Sequence, residues 1–285
     1  MSYEYVPAGL KPARKIFNKD NVLYRFIQTH KFPVRSMQMM TLDVLYEDEN
    51  LIAVSKPAGL LVTPDRWNPS IPTVQDMLRE YIRREVGGGH PNIRVVHRLD
   101  KDTSGVTVLA KNVKTQTYLS RQFEKGEVNK TYYAIVRGVM SKDEGVINFP
   151  LLESTKKPGV MTVNKKGKQS ISLYKILEKF KNSTLVEIHP LTGRTHQVRV
   201  HLMSIGYPLL FDPIYGEATP LYLSDFKKGY KEKDQKEKPF LSRLTLHAFR
   251  LSFREPAEEK TLVLEAQLPE DLSRTLKYFR KYAKS

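Results

Sequence analysis

The sequence predicts an α+β fold: a large, mainly antiparallel mixed sheet with flanking helices. Two observations carry that reading. Strand-patterned segments far outnumber helical ones, and no strand-helix-strand unit repeats along the chain. The 285 residues can hold one large domain or two small ones, and 40% hydrophobic content is enough for a sizeable core. No linker-like stretch divides residues 42–268, so the expected organisation is an N-terminal extension over residues 1–40 and one domain over 41–285.

Residues 1–40 interleave aromatics (Tyr3, Tyr5, Phe17, Tyr24, Phe26, Phe32) with cations (Lys11, Arg14, Lys15, Lys19, Arg25, Lys31). Two readings fit: an arm that stacks bases and meets phosphates, or an extension packed on the domain by its aromatics. Leu45 to Val54 reads as two strands around the turn Glu47-Asp48-Glu49-Asn50. Lys56-Pro57-Ala58-Gly59 breaks the pattern, Leu60 to Val62 resumes it, and Pro64-Asp65 stops it. Thr73 caps a helix to Val86, with Val74, Met77, Leu78, Tyr81 and Ile82 on one face. Gly87-Gly88-Gly89 ends it as a flexible connector, without the flanks of a dinucleotide loop.

Val106, Val108 and Ala110 alternate with Thr107 and Leu109, a strand buried on both faces. Asn112 caps a helix from Val113 to Phe123, stopped near Gly126. Val128 to Met140 is a strand with Tyr132, Ala134 and Val136 on one face and Tyr133 and Ile135 on the other. Val146 to Leu152, Ser170 to Leu177 and Thr184 to His189 continue the sheet. Lys156 to Lys168 is a basic hairpin loop, either touching a phosphate backbone or simply solvated. Thr195 caps a helix from His196 to Ser204, with Val198, Leu202 and Ile205 facing the core. Lys227 to Lys238 is a charged loop insertion, Leu244–Phe253 and Thr261–Ala266 form a hairpin, and a basic amphipathic helix spans Leu272 to Tyr282.

Lys and Arg number 47 against 31 Asp and Glu, a net charge of +16. That favours a polyanionic partner, nucleic acid before an anionic membrane surface. The chain has no cysteine, which excludes disulfides, thiolate metal sites and a cysteine nucleophile. No apolar run approaches the roughly 18 residues of a membrane span, and residues 1–30 lack the apolar core of a signal peptide. The expectation is a cytoplasmic, monomeric protein with no membrane partner.

The charged cluster His97, Arg98, Asp100, Lys101, Asp102 sits between the apolar Val95-Val96 and the strand after Gly105. A carboxylate and an arginine at the mouth of a buried strand are costly to desolvate unless they pair or do chemistry. The stretch VVHRLDKDTSGVTVLAKN is preceded by LYEDENLIAVSKPAGLLVTP and followed by KTYYAIVRG and TGRTHQVRVHLMSIGYPLLFDPIYG. In this order and spacing, the four blocks resemble the RluA-type pseudouridine synthases, which isomerise uridine in ribosomal and transfer RNA. The resemblance covers about Leu42 to Leu268, and HRLDxxTSG followed by TGRTHQxRxHL is far more specific than a lone short motif.

The resemblance implies a large mixed sheet crossed by an RNA-binding cleft, residues 41–285 being the catalytic domain. It implies an isomerisation in which the C1′–N1 bond of uridine breaks, the uracil turns, and C1′ joins C5. Substrate and product are isomers, so neither cofactor nor metal is expected. Asp100 is implied as the nucleophile, with Asp102 the nearest competitor, and attack at C1′, attack at C6 and glycal formation all remain open. Arg199 is implied to hold and orient that carboxylate. Tyr132 is implied to stack on the target uracil and could move the proton at C5. Arg98 is implied to fill the space of the flipped nucleotide, against a plain salt bridge to an acid nearby. Arg194 and Lys56 complete the expected RNA-binding set, the Lys56-Pro57 motif also shaping the fold. His97 reads as a structural hydrogen-bonding residue.

Rival classes are weaker. His196 and His201 lie five apart, about 140° around a helix, so they share no metal face. HRLDKD lacks the other kinase motifs. The serious alternative is a non-catalytic RNA-binding ribosome-assembly factor on the same fold. Phe211-Asp212 stands where relatives usually have Gly-Asp, and Glu255-Pro256 where His-Pro is commoner. Both lie outside the three implied chemical residues and bear on loop shape and RNA choice.

Overall fold

A computed structural model gives the fold. It describes residues 14–17, 22–26 and 31–33 as backbone strands, and residues 41–65, 68–86, 92–227, 229–230, 236–258 and 260–284. The side chains of the N-terminal arm, the glycine triplet and residues 228 and 231–235 of the charged insertion lie outside the described residues.

In chain order the strands are β1 Arg14–Phe17, β2 Val22–Phe26, β3 Lys31–Pro33, β4 Thr41–Glu47 and β5 Leu51–Lys56, followed by helix α1 Val74–Val86. Then come β6 Arg94–Val95, β7 Ser104–Ala110, α2 Val113–Lys125, β8 Asn129–Arg137, β9 Glu144–Asn148, β10 Leu151–Glu153 and β11 Met161–Val163. The chain continues through β12 Ile171–Phe180, β13 Ser183–Pro190, α3 Gln197–Ser204, β14 Leu246–Arg254, β15 Thr261–Glu265 and α4 Glu270–Tyr282. The main path of the large sheet runs β3-β4-β5-β7-β14-β8-β13-β12-β9. Among the described residues its pairings are antiparallel except β7 with β14 and β2 with β15. The fold is α+β with a large mixed sheet, as the sequence predicts.

Each half of the sheet carries a helix on either face. On the β4-β5-β7 side, α1 buries Val74, Met77 and Leu78 against Ile52, Val54 and Leu109, and α2 lies by Ala53, Val106 and Val108. Thr73 caps α1, its Oγ1 accepting from the Asp76 N–H at 3.2 Å. Asn112 caps α2, accepting from the Thr115 N–H at 2.8 Å, and left-handed Gly126 ends it. On the β8-β13 side, α3 packs Val198 and Leu202 on Ala134, Val136 and Ile188. There α4 packs Leu276 and Phe279 on Ile135 and Leu185.

Two local expectations change. Val146 to Leu152 is not one strand: Phe149-Pro150 breaks it, since proline cannot donate to a ladder, and β10 instead pairs β11 in a separate hairpin. Thr195 does not cap α3. The cap position is His196, and the Gln197 side chain holds the helix start, its Oε1 accepting from Thr192 Oγ1 at 2.7 Å and the Arg194 N–H at 3.0 Å.

The two halves meet where β7 and β14 run parallel, with His247 opposite Ser104 and Ala248 opposite Gly105. Gly105 has φ +122°, and a Cβ placed there would stand 2.1 Å from the Ala248 carbonyl oxygen. Only glycine lets the backbones approach so closely. Ser104 Oγ donates to His247 Nδ1 at 2.9 Å, His247 Nε2 donates to the Ala266 carbonyl at 2.9 Å, and Arg243 donates to Ser104 while gripping Asp271 of α4. The seam is therefore locked by hydrogen bonds on one side and by close backbone contact on the other.

Two predictions follow from the seam and its neighbours. Gly105→Ala is expected to cost about 3 kcal/mol or more, because the clash is with backbone that cannot yield; thermal unfolding measures it. Burial holds the His97 imidazole down to about 3 and that of His247 to about 4, against the usual 6.5. Both folded values lie below the unfolded one, so from pH 6.5 downward the unfolded chain takes protons that the folded chain refuses. Stability is expected to fall between pH 7 and pH 5 in urea titrations, and His247→Gln should flatten that decline.

Candidate active site

The loop between β6 and β7 carries Arg98 and Asp100 to the seam. It is held from below by the KPAG turn. Lys56 is fully buried, and its ammonium donates to the carbonyls of Pro57 (3.0 Å), Leu60 (2.7 Å) and Lys101 (2.8 Å). The Gly59 N–H also donates to the Lys101 carbonyl at 2.9 Å. Burial pulls the Lys56 amine down to about 7, with Asp102 and Asp100 pulling the other way. Lys56 thus leaves the expected RNA-binding set: all three of its N–H groups are spent inside the protein. It shapes the loop that presents Asp100.

Asp100 is reached from the other half of the sheet. Arg199, in the first turns of α3, is 5% exposed and points its Nη1 at Asp100 Oδ2, 3.4 Å away. Its Nε and Nη2 donate to the two carboxylate oxygens of Asp212, each at 2.8 Å, a bidentate fork. Asp212 is fully buried and also accepts from the N–H groups of Ile214 (2.9 Å) and Tyr215 (3.0 Å). Burial works against both charges, but their mutual hydrogen bonds win. The Asp212 carboxyl is held below its usual range and the Arg199 guanidinium above its own. The Arg199 guanidinium lies 5.0 Å from the centre of the Tyr215 ring. Tyr215 in turn bonds His196, whose Nε2 stands 3.9 Å from Asp100 Oδ2.

Asp100 faces a cleft of about 510 Å³ that Arg98, Tyr132, Lys130, Arg194 and His196 also line. That is room for an extruded base with part of its strand. Tyr132 is half-buried, packed beside Leu99, Val62 and Ala248. Burial first, and the Asp100 charge second, push its phenol well above the usual range, so it keeps its proton at neutral pH. Tyr133 points to the opposite face and stacks on Phe249 at 4.4 Å. Arg98 is exposed on the rim and has no carboxylate partner among the described residues. Arg194 is exposed and donates to the Gln169 carbonyl at 3.3 Å. Lys130 donates to the Thr192 carbonyl at 3.2 Å, and burial with the nearby Arg194 lowers its amine to about 8. His97 accepts from the Val108 N–H at 3.0 Å and stacks on Phe123 at 4.5 Å, a structural position.

The fold therefore brings Asp100, Tyr132, Arg98 and Arg194 to one cleft, with Arg199 buried behind Asp100. His196 and His201 diverge: His201 is buried against Ser172 and the Phe149 carbonyl. The sequence reading assigns no role to Tyr215, and His196 enters it only in a rejected metal pair with His201. Asp212 was assigned to loop shape, outside the chemical residues; instead it is the anchor of Arg199. The spacing FDPIYG held the signal, since an aspartate followed three residues later by a tyrosine that recaptures it is a side-chain-capped turn.

With an arginine behind it and a cleft before it, the Asp100 carboxylate can act as a nucleophile or base. Residues 50–204 match the family model described as RNA pseudouridylate synthase. The chain is 34% identical over 273 residues to the "Ribosomal large subunit pseudouridine synthase D" of Buchnera aphidicola subsp. Schizaphis graminum, covering 95% of this chain and 83% of the other. It is 33% identical to the "Dual-specificity RNA pseudouridine synthase RluA" of Vibrio cholerae, covering 84% and 89% of the two chains. The solved structure of Human RNA Pseudouridylate Synthase Domain Containing 4 superposes with a TM-score of 0.63 at 29% identity, over 83% of this chain and 92% of that one.

The buried pair makes a stability prediction. Asp212→Ala leaves a buried guanidinium short of its main partner and is expected to cost about 3–5 kcal/mol. The double change Arg199→Met with Asp212→Leu should cost less than Asp212→Ala alone; urea midpoints compare them.

Proposed function

The chain belongs to the RNA pseudouridylate synthase family, and from that membership we propose that it isomerises uridines of large-subunit ribosomal RNA with Asp100 as its nucleophile. The protein is an RNA pseudouridine synthase; the ribosomal address rests on the names of its relatives, among them one that covers 95% of this chain. Those names leave the non-catalytic assembly factor without support. Action as a monomer in the cytoplasm completes the reading.

The observation that carries the mechanism is the carboxylate of Asp100 at the cleft wall with the Arg199 guanidinium 3.4 Å behind it. The fork to Asp212 takes up Nε and Nη2 of Arg199, and the remaining nitrogen, Nη1, faces Asp100. A carboxylate so oriented needs no reorganisation before it acts. The target uridine leaves its stack at a cost of roughly a few kcal/mol. Arg98, exposed on the rim, takes the vacated space, and Arg194 meets the backbone. As the C1′–N1 bond breaks, the electron pair stays with the uracil. The ring turns, C5 bonds to C1′, and the C5 proton leaves. Attack by Asp100 at C1′, its attack at C6 and its proton abstraction toward a glycal are the three routes by which it starts this sequence.

Tyr132 is a stacking surface in this scheme. A phenol raised by burial and by Asp100 is seldom ionised, so removing the C5 proton as a phenoxide is disfavoured. The planar ring packed beside Leu99 and Ala248 is instead held to receive a base.

The test is tritium release from RNA labelled at uridine C5, with ribosomal and transfer RNA supplied separately. Wild type is expected to release tritium from ribosomal RNA. Asp100→Asn should release none while its RNA affinity, by filter binding, stays within about threefold, because the change removes a charge and not a phosphate contact. Turnover by that variant would refute the assignment, and release from transfer RNA alone would refute the address.

A further inference from the structure

We propose that His196 is a further catalytic residue: its Nε2–H donates a hydrogen bond to a carbonyl oxygen of the extruded uracil beside Asp100. The inference rests on the isomerase reading above and adds a base contact to it.

The backbone is the first observation. His196 has φ 53°, and among the described residues it is the one non-glycine side chain with positive φ. Strain of this kind persists only where surrounding structure imposes it, and it concentrates at functional sites. Here the imposing groups are visible. Gln197, locked by Thr192, Arg194 and the Ile171 carbonyl, sets the start of α3. Tyr215 captures the His196 ring from the other side.

The second observation is the tautomer. The Met161 N–H donates to the Tyr215 oxygen at 2.8 Å, and among the described residues the acceptor within reach of the Tyr215 hydroxyl proton is His196 Nδ1, also at 2.8 Å. Nδ1 is then an acceptor, and the proton of the neutral ring sits on Nε2. Burial keeps the imidazole below its ordinary value, with Arg199 and Arg98 adding to it and Asp100 and Asp212 opposing. A neutral ring with a fixed tautomer is a preorganised donor.

The third observation is where that donor points. Nε2 lies 3.9 Å from Asp100 Oδ2, beyond a direct hydrogen bond, so its proton is not committed to the carboxylate. The His196 side chain lines the cleft together with Asp100 and Tyr132, whereas Arg199 lies behind them. Two of the Arg199 nitrogens are spent on Asp212, and the third faces Asp100. The neutral donor next to the nucleophile and facing the base is therefore His196. When the C1′–N1 bond breaks, the electron pair delocalises over the ring nitrogen and the carbonyl oxygens. A donor on one such oxygen is stronger in that state than in the ground state, and no proton need transfer.

Tritium release by His196→Gln, His196→Asn and His196→Gly, each against wild type on the same C5-labelled ribosomal RNA, tests the assignment. Loss of the donor in the Gly and Asn variants should lower kcat by about 10²–10³ with KM changed only a few-fold. The Gln variant should recover part of the loss, because its amide N–H reaches the place of Nε2. A merely structural role demands the opposite order, since Gly and Asn accept a left-handed backbone far better than Gln. Thermal unfolding of the Gly variant at or above wild type would show that its loss of turnover is not misfolding. Gly or Asn variants at wild-type kcat, or a Gln variant slower than both, would overturn the inference while leaving the isomerase reading intact. No release by wild type from any RNA would remove that reading, and this inference with it.

Discussion

The site depends on one buried ion pair, Arg199 with Asp212. Neither residue would be tolerated alone in that position, because an uncompensated charge in the interior costs several kcal/mol. Together they form a fork in which Asp212 Oδ2 accepts from Arg199 Nε while Oδ1 accepts from Arg199 Nη2 and from the N–H groups of Ile214 and Tyr215. The fork removes the rotational freedom of a long side chain. The nitrogen that the fork leaves over, Nη1, faces Asp100. The pair adds little net stability for its burial; its contribution is orientation, and orientation is what a carboxylate nucleophile needs from a neighbour.

The two sides of this interaction come from opposite halves of the sheet. Asp100 is carried by the loop into β7, and Arg199 and Asp212 lie on α3 and the segment after it. The distance between them is thus set at the short parallel seam of β7 and β14. Gly105 allows the seam to close, Ser104 and His247 tie it, and buried Lys56 holds the loop above it. Residues that touch no substrate in this scheme are as much a part of the geometry as those that do. A shift of an ångström at Gly105 would be felt directly between Asp100 and Arg199.

Much of the fold was legible from the chain alone. Alternation of Val106, Val108 and Ala110 with Thr107 and Leu109 showed a strand buried on both faces, and Thr73 and Asn112 marked helix starts by ordinary capping chemistry. Local rules failed where long-range contacts overrode them. Thr195 has the right chemistry for a cap, yet the buried Gln197 amide bonds back to Thr192 and Arg194 and takes the role. Lys56 reads as a cation for RNA until its burial is known, because a lysine motif says nothing of which way the ammonium points. Asp212 and His196 show no site role in the sequence for a similar reason: their partners, Arg199 and Tyr215, lie 13 and 19 residues away in the chain.

Through the family resemblance of its motifs the sequence pointed to Asp100 and Arg199, and by itself it determined the order of the motifs, the strand and helix pattern and the basic charge. These follow from local periodicity and from residue types that only certain chemistry requires. The tertiary structure alone decided what anchors Arg199 beside Asp100 and which lysine is spent inside the fold. It also decided that a strained histidine presents a fixed donor to the cleft. The physical reason is that pairing energies act between groups brought together by the sheet. A buried charge takes its partner from whatever the backbone places within about 3 Å, however distant in sequence.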